Sequence, residues 1–409
     1  MRCTVIVFMF LIKLAEIKVL NNVCGTVTDY YNDIENNANC WYDPDVNTGP
    51  EERAKNHGLI LERHHVETED HWILVIYRIK SPEGVLGTKP IYLQHGYAVD
   101  TTEFMGNGEN SVAFFLAKHG FDVWLGNVRG SDLATHRTLS KKNPEYWNFS
   151  FHEIGTYDIH AGLKYVAKVT GQKVCYVGHS MGGTAMVVYL TTRLRDAQKL
   201  LKHTVLIGAP IFMKYSFGIA KKSVMTDWLS TINMIQLLSY HVLLTTNSFE
   251  RKALLQFCLN SSLADLYTCM DFVTFIGGPC PHPLSPEKLP MVFPTLQNLV
   301  LKPGLHYIQN ILSGDFKQYD YGSEGNLRRY NSTVPPVYDL SKMSTGISFI
   351  SSTYDSLNSK EDHLEMFAKY KKPSWDMHEI PYNHVNLMFN RKAKQLFLRP
   401  LLDIINKYT

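Results

Sequence analysis

No block of one charge sign dominates this chain of 409 residues. Lys and Arg number 41 against 38 Asp and Glu, a formal net charge of +3. A balance so close to neutral carries no polyanion-binding footprint and argues against nucleic acid as the main partner. Charged residues are scarce, at 19% against 45% hydrophobic, which excludes extended disorder and describes a globular chain with a sizeable core. After the first residues no segment reaches eighteen uncharged apolar positions, so the mature chain is expected to be soluble, without a membrane span. Internal repeats, low-complexity tracts and linker-like stretches are also missing, which leaves no solenoid or tandem array. The length suits one large α/β domain carrying an insertion. Histidine, by contrast, is plentiful: full protonation of all 17 would raise the charge to about +20, so the surface changes sharply with acidity. Aromatics at 12% fit both a large core and a protein that handles apolar ligands.

Residues 1–12, MRCTVIVFMFLI, place one Arg ahead of an apolar run too short to span a bilayer. That is the pattern of a secretory signal, expected over residues 1–20, although KLAEIKVL offers no clean small-x-small cleavage site. Three N-x-[ST] sequons agree with that route: Asn148, Asn260 and Asn331. Cys3 leaves with the signal and six cysteines remain, an even number that permits disulfides in fifteen connectivities. Cys175, in the apolar run VCYV, reads as a buried small residue. The near-sequence pairs Cys24/Cys40 and Cys258/Cys269 are the easiest to close, the second more so.

Strands are expected at 71–79, 90–94, 121–127, 173–178 and 203–210, with helical spacing at 159–170 and again from about Thr184. Strands alternating with helices predict an α/β fold whose mostly parallel sheet is covered on both faces. From 211 to 340 the alternation gives way to a helix-rich, proline-dotted stretch, and strands resume at 346–352 and 375–380. The core is therefore assigned to 21–210 and 341–409, and the insertion to 211–340.

The chemistry concentrates at strand ends. Gly178-His179-Ser180-Met181-Gly182 is a G-x-S-x-G with a buried strand before it and a helix after it, the context of a nucleophile elbow. Ser180 is the expected nucleophile. It needs a base that is itself oriented by a carboxylate, in the chain order Ser, acid, His. Asp355 directly follows the strand ISFISS; its rival Asp362 reads as a surface or capping residue at a helix start. His384, 29 residues after Asp355, follows the last strand and is the expected base, while His363 and His378 read as structural or surface groups. Backbone N–H donors for an oxyanion are expected at Met181 and Tyr97, with Gly96 allowing the tight turn and His95 bracing the loop.

These residues are recognisable together. LQHG (93–96), GNVRGS (126–131), YWNFSFHEIGTYDI (146–159), YVGHS (176–180), HYIQ (306–309), YDYG (319–322) and YNH (382–384) resemble the acid lipase family of α/β-hydrolases. That family includes gastric, lysosomal and insect secreted lipases, and the resemblance runs from about residue 43 to the C-terminus. It implies a triad of Ser180, Asp355 and His384 and oxyanion donors at Tyr97 and Met181. It further implies a cap formed by the insertion, long-chain carboxylic ester substrates (triacylglycerols or sterol esters, met at a lipid–water interface), and neither metal nor organic cofactor. Three positions depart from it: Met181 stands for the usual Gln, Tyr97 for a Leu, and Asn386 for a common Asp. The insertion, especially 275–290, is the least family-like part.

Two other functions fit a subset of these features. A short-chain carboxylesterase would keep the triad under a divergent cap, whereas a lipid-binding protein on a retired lipase fold would lose a triad member, and all three residues are present. Within the insertion, Met225, Trp228, Leu229, Ile232 and Ile235 fall at three- and four-residue spacing in 223–240, an apolar helical face expected either to pack on the main domain or to meet lipid when uncovered.

Overall fold

The computed structural model describes residues 20–409 apart from 85–86, 217–220, 238, 283 and 371–374. The expected signal therefore lies outside the described residues except for Leu20. Among the described residues nine strands form the main sheet: β1 (Ile60–Glu67), β2 (Trp72–Lys80), β3 (Lys89–Gln94), β4 (Phe121–Gly126), β5 (Ala134–His136), β6 (Val174–His179), β7 (Leu201–Ile207), β8 (Ile347–Ser352) and β9 (Trp375–Ile380). Their spatial order is β9-β8-β7-β6-β3-β4-β2-β1, with β5 paired to β2. Every pair from β9 to β4 is parallel; the pairs made by β2 are antiparallel.

Side chains alternate between two cores, as the two-residue period of a strand requires. Tyr92, Trp124, Tyr176 and Leu206 face helices α1 (His160–Thr170) and α2 (Met181–Thr192), meeting Leu163, Val166, Ala185 and Val188. Their neighbours Ile91, Leu93, Val123, Leu125, Val177 and Val205 face the other way, toward Phe114, Phe115, Leu401 and Ile404. Cys175 belongs to that second face, where burial pushes its thiol up to about 12 and leaves it unreactive.

Two elements differ from the sequence expectation. β1 lies ahead of the first strand the sequence predicts, at 71–79. It pairs with β2 over eight residues, but as an edge strand with most of its side chains exposed or half-exposed its composition lacks the apolar signature of a central strand. Helix α2 starts at Met181 rather than near Thr184, because Gly182 and Gly183 obscure a helix start in the sequence that tertiary packing imposes.

Between β7 and β8 the chain forms α3 (Lys221–Leu237), α4 (Phe249–Asn260), α5 (Leu263–Gly277) and α6 (Leu301–Ser313), with a short antiparallel pair joining Val242–Leu243 to Leu299–Val300. Ser248 and Ser262 cap α4 and α5, accepting from Arg251 N–H and Asp265 N–H. The resulting helical hairpin is stapled by Cys258–Cys269, and Cys24–Cys40 bridges the paired segments near the N-terminus. No described helix is long and apolar enough to cross a membrane.

A staple across so short a loop contributes about 2–4 kcal/mol. Replacing Cys258 and Cys269 together with Ser is expected to lower amide-exchange protection in α4 and α5 by roughly 100-fold while β3, β6 and β8 keep theirs. Unchanged protection in the hairpin would show that its packing alone holds it.

Candidate active site

Four chain segments leave the carboxyl ends of β3, β6, β8 and β9, adjacent or near-adjacent in one parallel sheet, and this brings their first residues together. At the end of β6, Ser180 holds φ 50° and ψ −121°, a left-handed conformation that costs a non-glycine residue roughly 1–3 kcal/mol. The tight turn needs glycine nearby: a Cβ on Gly182 would lie 2.4 Å from the Gln94 carbonyl oxygen, and one on Gly178 2.8 Å from the Gly183 nitrogen. The turn points the Ser180 hydroxyl away from the sheet at the head of α2, where the helix N-terminus favours negative charge.

His384 Nε2 lies 2.8 Å from Ser180 Oγ, and its Nδ1 lies 2.8 Å from Asp355 Oδ2. The carboxylate fixes the tautomer: Nδ1–H donates to Asp355, so Nε2 is left to accept from the Ser180 hydroxyl. Asp355 is buried, and its other oxygen accepts the Leu357 N–H at 2.9 Å. Tyr97 and Met181 line one cavity of about 20 Å³ with Gly96, room for roughly one water. The Tyr97 hydroxyl, where the resemblance anticipates a leucine, donates to the Val300 carbonyl at 2.6 Å and so anchors the loop to the insertion.

Asp362 caps the helix start as expected, its N–H donating to Ser359 Oγ at 3.1 Å and its carboxylate accepting from that hydroxyl at 3.2 Å, but it is not a surface group. It is buried, and its carboxylate accepts the N–H groups of Lys214 and Tyr215, fastening the start of the insertion to the helix at Lys360–Tyr370. His363 is buried against Phe349, and burial drives its imidazole down to about 3, so it stays neutral. His378 is half-exposed. His95 is buried, with Nδ1 at 2.9 Å from the Gly96 carbonyl, a brace within the loop. Asn148 and Asn331 are exposed, Asn331 at the end of the helix Gly322–Tyr330, while the side chain of Asn260 lies outside the described residues.

Sequence reasoning missed two sets of supporting residues. The first lies at the end of α5, within the segment that departs most from the family pattern. Gly277 O accepts from the N–H of His384 at 3.0 Å and of Ser356 at 3.3 Å; Gly278 O accepts from Asn383 Nδ2 at 2.7 Å. His282 O accepts from Asn386 Nδ2 at 2.9 Å, a bond that needs the amide and that an aspartate could not make. The loops of Asp355 and His384 are thus both hydrogen-bonded to one turn. Its signal was the Gly-Gly pair after an apolar helix, the mark of a helix end in unusual backbone geometry. The second set is a buried carboxylate–imidazole pair, Glu103 and His179, 2.7 Å apart behind Ser180. The acid at 103, directly before the apolar Phe104 and Met105, was its signal.

Comparison with known proteins agrees with this architecture. A family model described as a partial alpha/beta-hydrolase lipase region matches residues 50–108, and one for the alpha/beta hydrolase fold matches 89–237. Lipase member K of Mus musculus is 31% identical over 383 residues, covering 89% of this chain and 92% of its own. Gastric triacylglycerol lipase of Mus musculus is 30% identical, covering 86% and 90%. Lipase 1 of Drosophila melanogaster is also 30% identical, covering 86% and 78%. Among solved structures, the α/β hydrolase GrgF from Penicillium sp. sh18 superposes with a TM-score of 0.50 at 12% identity, covering 85% of this chain and 98% of its own, a likeness of fold.

Gly278 has φ 109°, and a Cβ there would stand 1.8 Å from the Tyr354 carbonyl oxygen, next to Asp355. Gly278→Ala is therefore expected to cost about 3 kcal/mol or more, since backbone rather than a side-chain tip must give way. Gly58→Ala, at φ 71° with open space around it, should cost only about 1 kcal/mol. Denaturant melts of the two variants check this; equal costs would mean that the turn after α5 yields freely.

Proposed function

The chain belongs to the acid lipase family of α/β-hydrolases, with lipase member K and gastric triacylglycerol lipase among its relatives, and on that premise we propose that it is a serine lipase acting on carboxylic esters of long-chain fatty acids. One observation carries the reading: the unbroken line of hydrogen bonds from Asp355 through His384 to the Ser180 hydroxyl. In the first step His384 Nε2 takes the hydroxyl proton as Ser180 Oγ bonds to the ester carbonyl carbon. The carbonyl oxygen becomes an oxyanion facing the N–H groups of Met181 and Tyr97. The tetrahedral species collapses, the C–O bond to the alcohol breaks, and His384 gives its proton to the departing oxygen. Water then attacks the acyl-enzyme with His384 again as base, releasing the fatty acid and restoring Ser180. Asp355 stabilises the imidazolium in both halves without taking the proton.

The substrate class is read as triacylglycerol or sterol ester, met at a lipid–water interface. The α4–α5 hairpin supports an interfacial encounter, with Phe249 82% exposed and Phe257, Tyr267, Phe272 and Phe275 also presented to solvent. Residues 211–340 are read as the cap and 21–210 with 341–409 as the catalytic core. In support, Met225, Trp228, Leu229 and Ile232 of α3 pack with Ile308 and Ile311 of α6 and with Leu357, two residues after Asp355. A secreted or lysosomal location is supported by the apolar leader and the two disulfides, which persist in oxidising compartments.

Ser180→Ala is expected to lower turnover of a p-nitrophenyl ester by roughly 10⁴ to 10⁶ without unfolding the chain, and Asp355→Asn by about 10⁴, because an amide favours the wrong tautomer of His384. A folded Ser180→Ala protein keeping more than about one part in a hundred of the rate would overturn the assignment.

The apolar face of α3 covers its neighbours in this state, and uncovering it would expose a Trp and a Leu worth roughly 1.5–3 kcal/mol each on contact with lipid. Replacing Trp228 and Leu229 together with Ser should depress hydrolysis of emulsified triolein by at least about 10-fold more than that of soluble p-nitrophenyl butyrate. Equal losses on the two esters at unchanged thermal stability would remove α3 from substrate access.

A further inference from the structure

Behind Ser180 lies a second carboxylate–imidazole pair that the reaction sequence above does not use. Glu103 sits in a short helix (Thr101–Met105) after the loop that follows β3, and His179 is the last residue of β6; both are buried. Glu103 Oε1 is 2.7 Å from His179 Nδ1, and Glu103 Oε2 accepts the Gly96 N–H at 3.0 Å. His179 Nε2 lies 3.2 Å from the backbone carbonyl oxygen of His384, and the two imidazole rings are 5.1 Å apart. Gly96 is in turn packed on the nucleophile, where a Cβ would stand 3.1 Å from Ser180 Cβ.

Both ring nitrogens of His179 therefore face acceptors, a carboxylate on one side and a carbonyl on the other. An imidazole can donate from both only when doubly protonated. We propose that Glu103 and the His179 imidazolium are positioning residues that lock three parts of the site together: the Gly96–Tyr97 oxyanion loop, the nucleophile turn and the backbone of His384. This rests on the reading of Ser180, Asp355 and His384 as the catalytic groups. The pair touches no reacting atom; it fixes the distance between the groups that do. A shift of about 1 Å in such a frame costs on the order of 10²-fold in rate.

Its charge state follows from its neighbours. The titratable groups around it are His95, Asp100, Asp355 and His384. Burial opposes both charges, yet His179 and the Gly96 N–H hold the Glu103 carboxyl below its ordinary range, while Glu103, Asp355 and the His384 carbonyl hold His179 above its own. A lowered carboxyl contributes stability that is complete above the ordinary value of 4.5 and is lost as pH falls through the lowered one. A raised imidazole contributes stability that is complete below the ordinary 6.5 and is lost as pH rises through the raised one. The lock is therefore at full strength between pH 4.5 and 6.5, a mildly acidic window.

Two substitutions separate hydrogen bonding from charge. Glu103→Gln can still accept from Gly96 N–H and donate to a neutral His179 Nδ1, leaving Nε2–H on the His384 carbonyl, so every bond persists and only the ion pair is lost. Glu103→Ala removes the bonds as well. With rates normalised to Ser180 titrated by an organophosphate, Glu103→Ala is expected to lower kcat on a p-nitrophenyl ester by about 100-fold with KM changed by less than about threefold, and Glu103→Gln to recover at least about 10-fold of that loss. The melting-temperature gap between wild type and Glu103→Gln should be widest between pH 4.5 and 6.5 and narrow on either side. Independently of turnover, ¹⁵N spectra of the folded wild type at pH 5.5 should show both His179 ring nitrogens protonated. A neutral His179 there, a Glu103→Ala kcat equal to wild type, or a Glu103→Gln loss as large as that of Glu103→Ala would each overturn the proposal. A wild type that turns over no ester would refute the lipase reading and leave the spectrum to decide the pair.

Discussion

The structure turns on one strained residue. Ser180 is held at φ 50° because its surroundings over-determine it: its own N–H is bonded to Ile207 O at 2.9 Å, its carbonyl accepts from Gly183 and Thr184, and the Tyr176 hydroxyl donates to Gly182 O at 2.7 Å. Those bonds come from β6, β7 and α2, so the turn is a product of the sheet as a whole and not of a local sequence preference. Its consequence is that the hydroxyl stands at a fixed point above the carboxyl ends of the parallel strands. The other groups of the site reach that point from the ends of β3, β8 and β9 along short, hydrogen-bonded loops.

How much of this was legible depends on what each residue's signal measured. The central strands were readable because burial on both faces makes near-continuous apolar runs, as in KPIYLQ and VCYVGH. The order of Ser180, Asp355 and His384 was readable because each stands within four residues of the end of a predicted strand. The edge strand β1 was not, because exposed residues such as Arg63 and His65 carry no periodic apolar pattern. For Asp362 the capping half of the reading holds, through Ser359 three residues away, while its burial was hidden because its further partners are backbone N–H groups 147 and 148 residues away. Glu103 and the Gly277–Gly278 turn leave a local trace in the sequence, but what they bond to, His179 at 76 residues from Glu103 and Asn383 at 105 from Gly278, is not encoded there.

Several motifs that carried the family resemblance prove to be framework. Arg129 of GNVRGS is buried between Asp158 and Asp70, bonding Asp158 from its backbone and from its guanidinium. Lys302, just before HYIQ, donates to Asn148 Oδ1 and to the Tyr321 hydroxyl, tying YWNFSF to YDYG. His306 stacks on Phe151 at 3.8 Å while its Nε2 lies 2.8 Å from Lys317 O. Such buried polar links are costly to break singly, since the partner is left unsatisfied. These links join one motif to another, so their presence speaks for the scaffold more strongly than for the substrate.

The insertion meets the core in two physically different ways, and this limits which part of it can move. Helix α3 packs on α6 and Leu357 through the apolar side chains of the cluster around Met225. Such contacts exchange readily for another apolar surface at little net cost. The end of α5 is held by backbone hydrogen bonds to Ser356, Asn383 and His384 and by the close approach of Gly278 to Tyr354. Breaking those would strand buried polar groups and release the loops that carry Asp355 and His384. The disulfide extends the same constraint back into α4. On the proposed reading, an opening of the cap that keeps the site intact falls to α3, because the α4–α5 hairpin is tied to the loops of Asp355 and His384 even though the sequence places it inside the insertion.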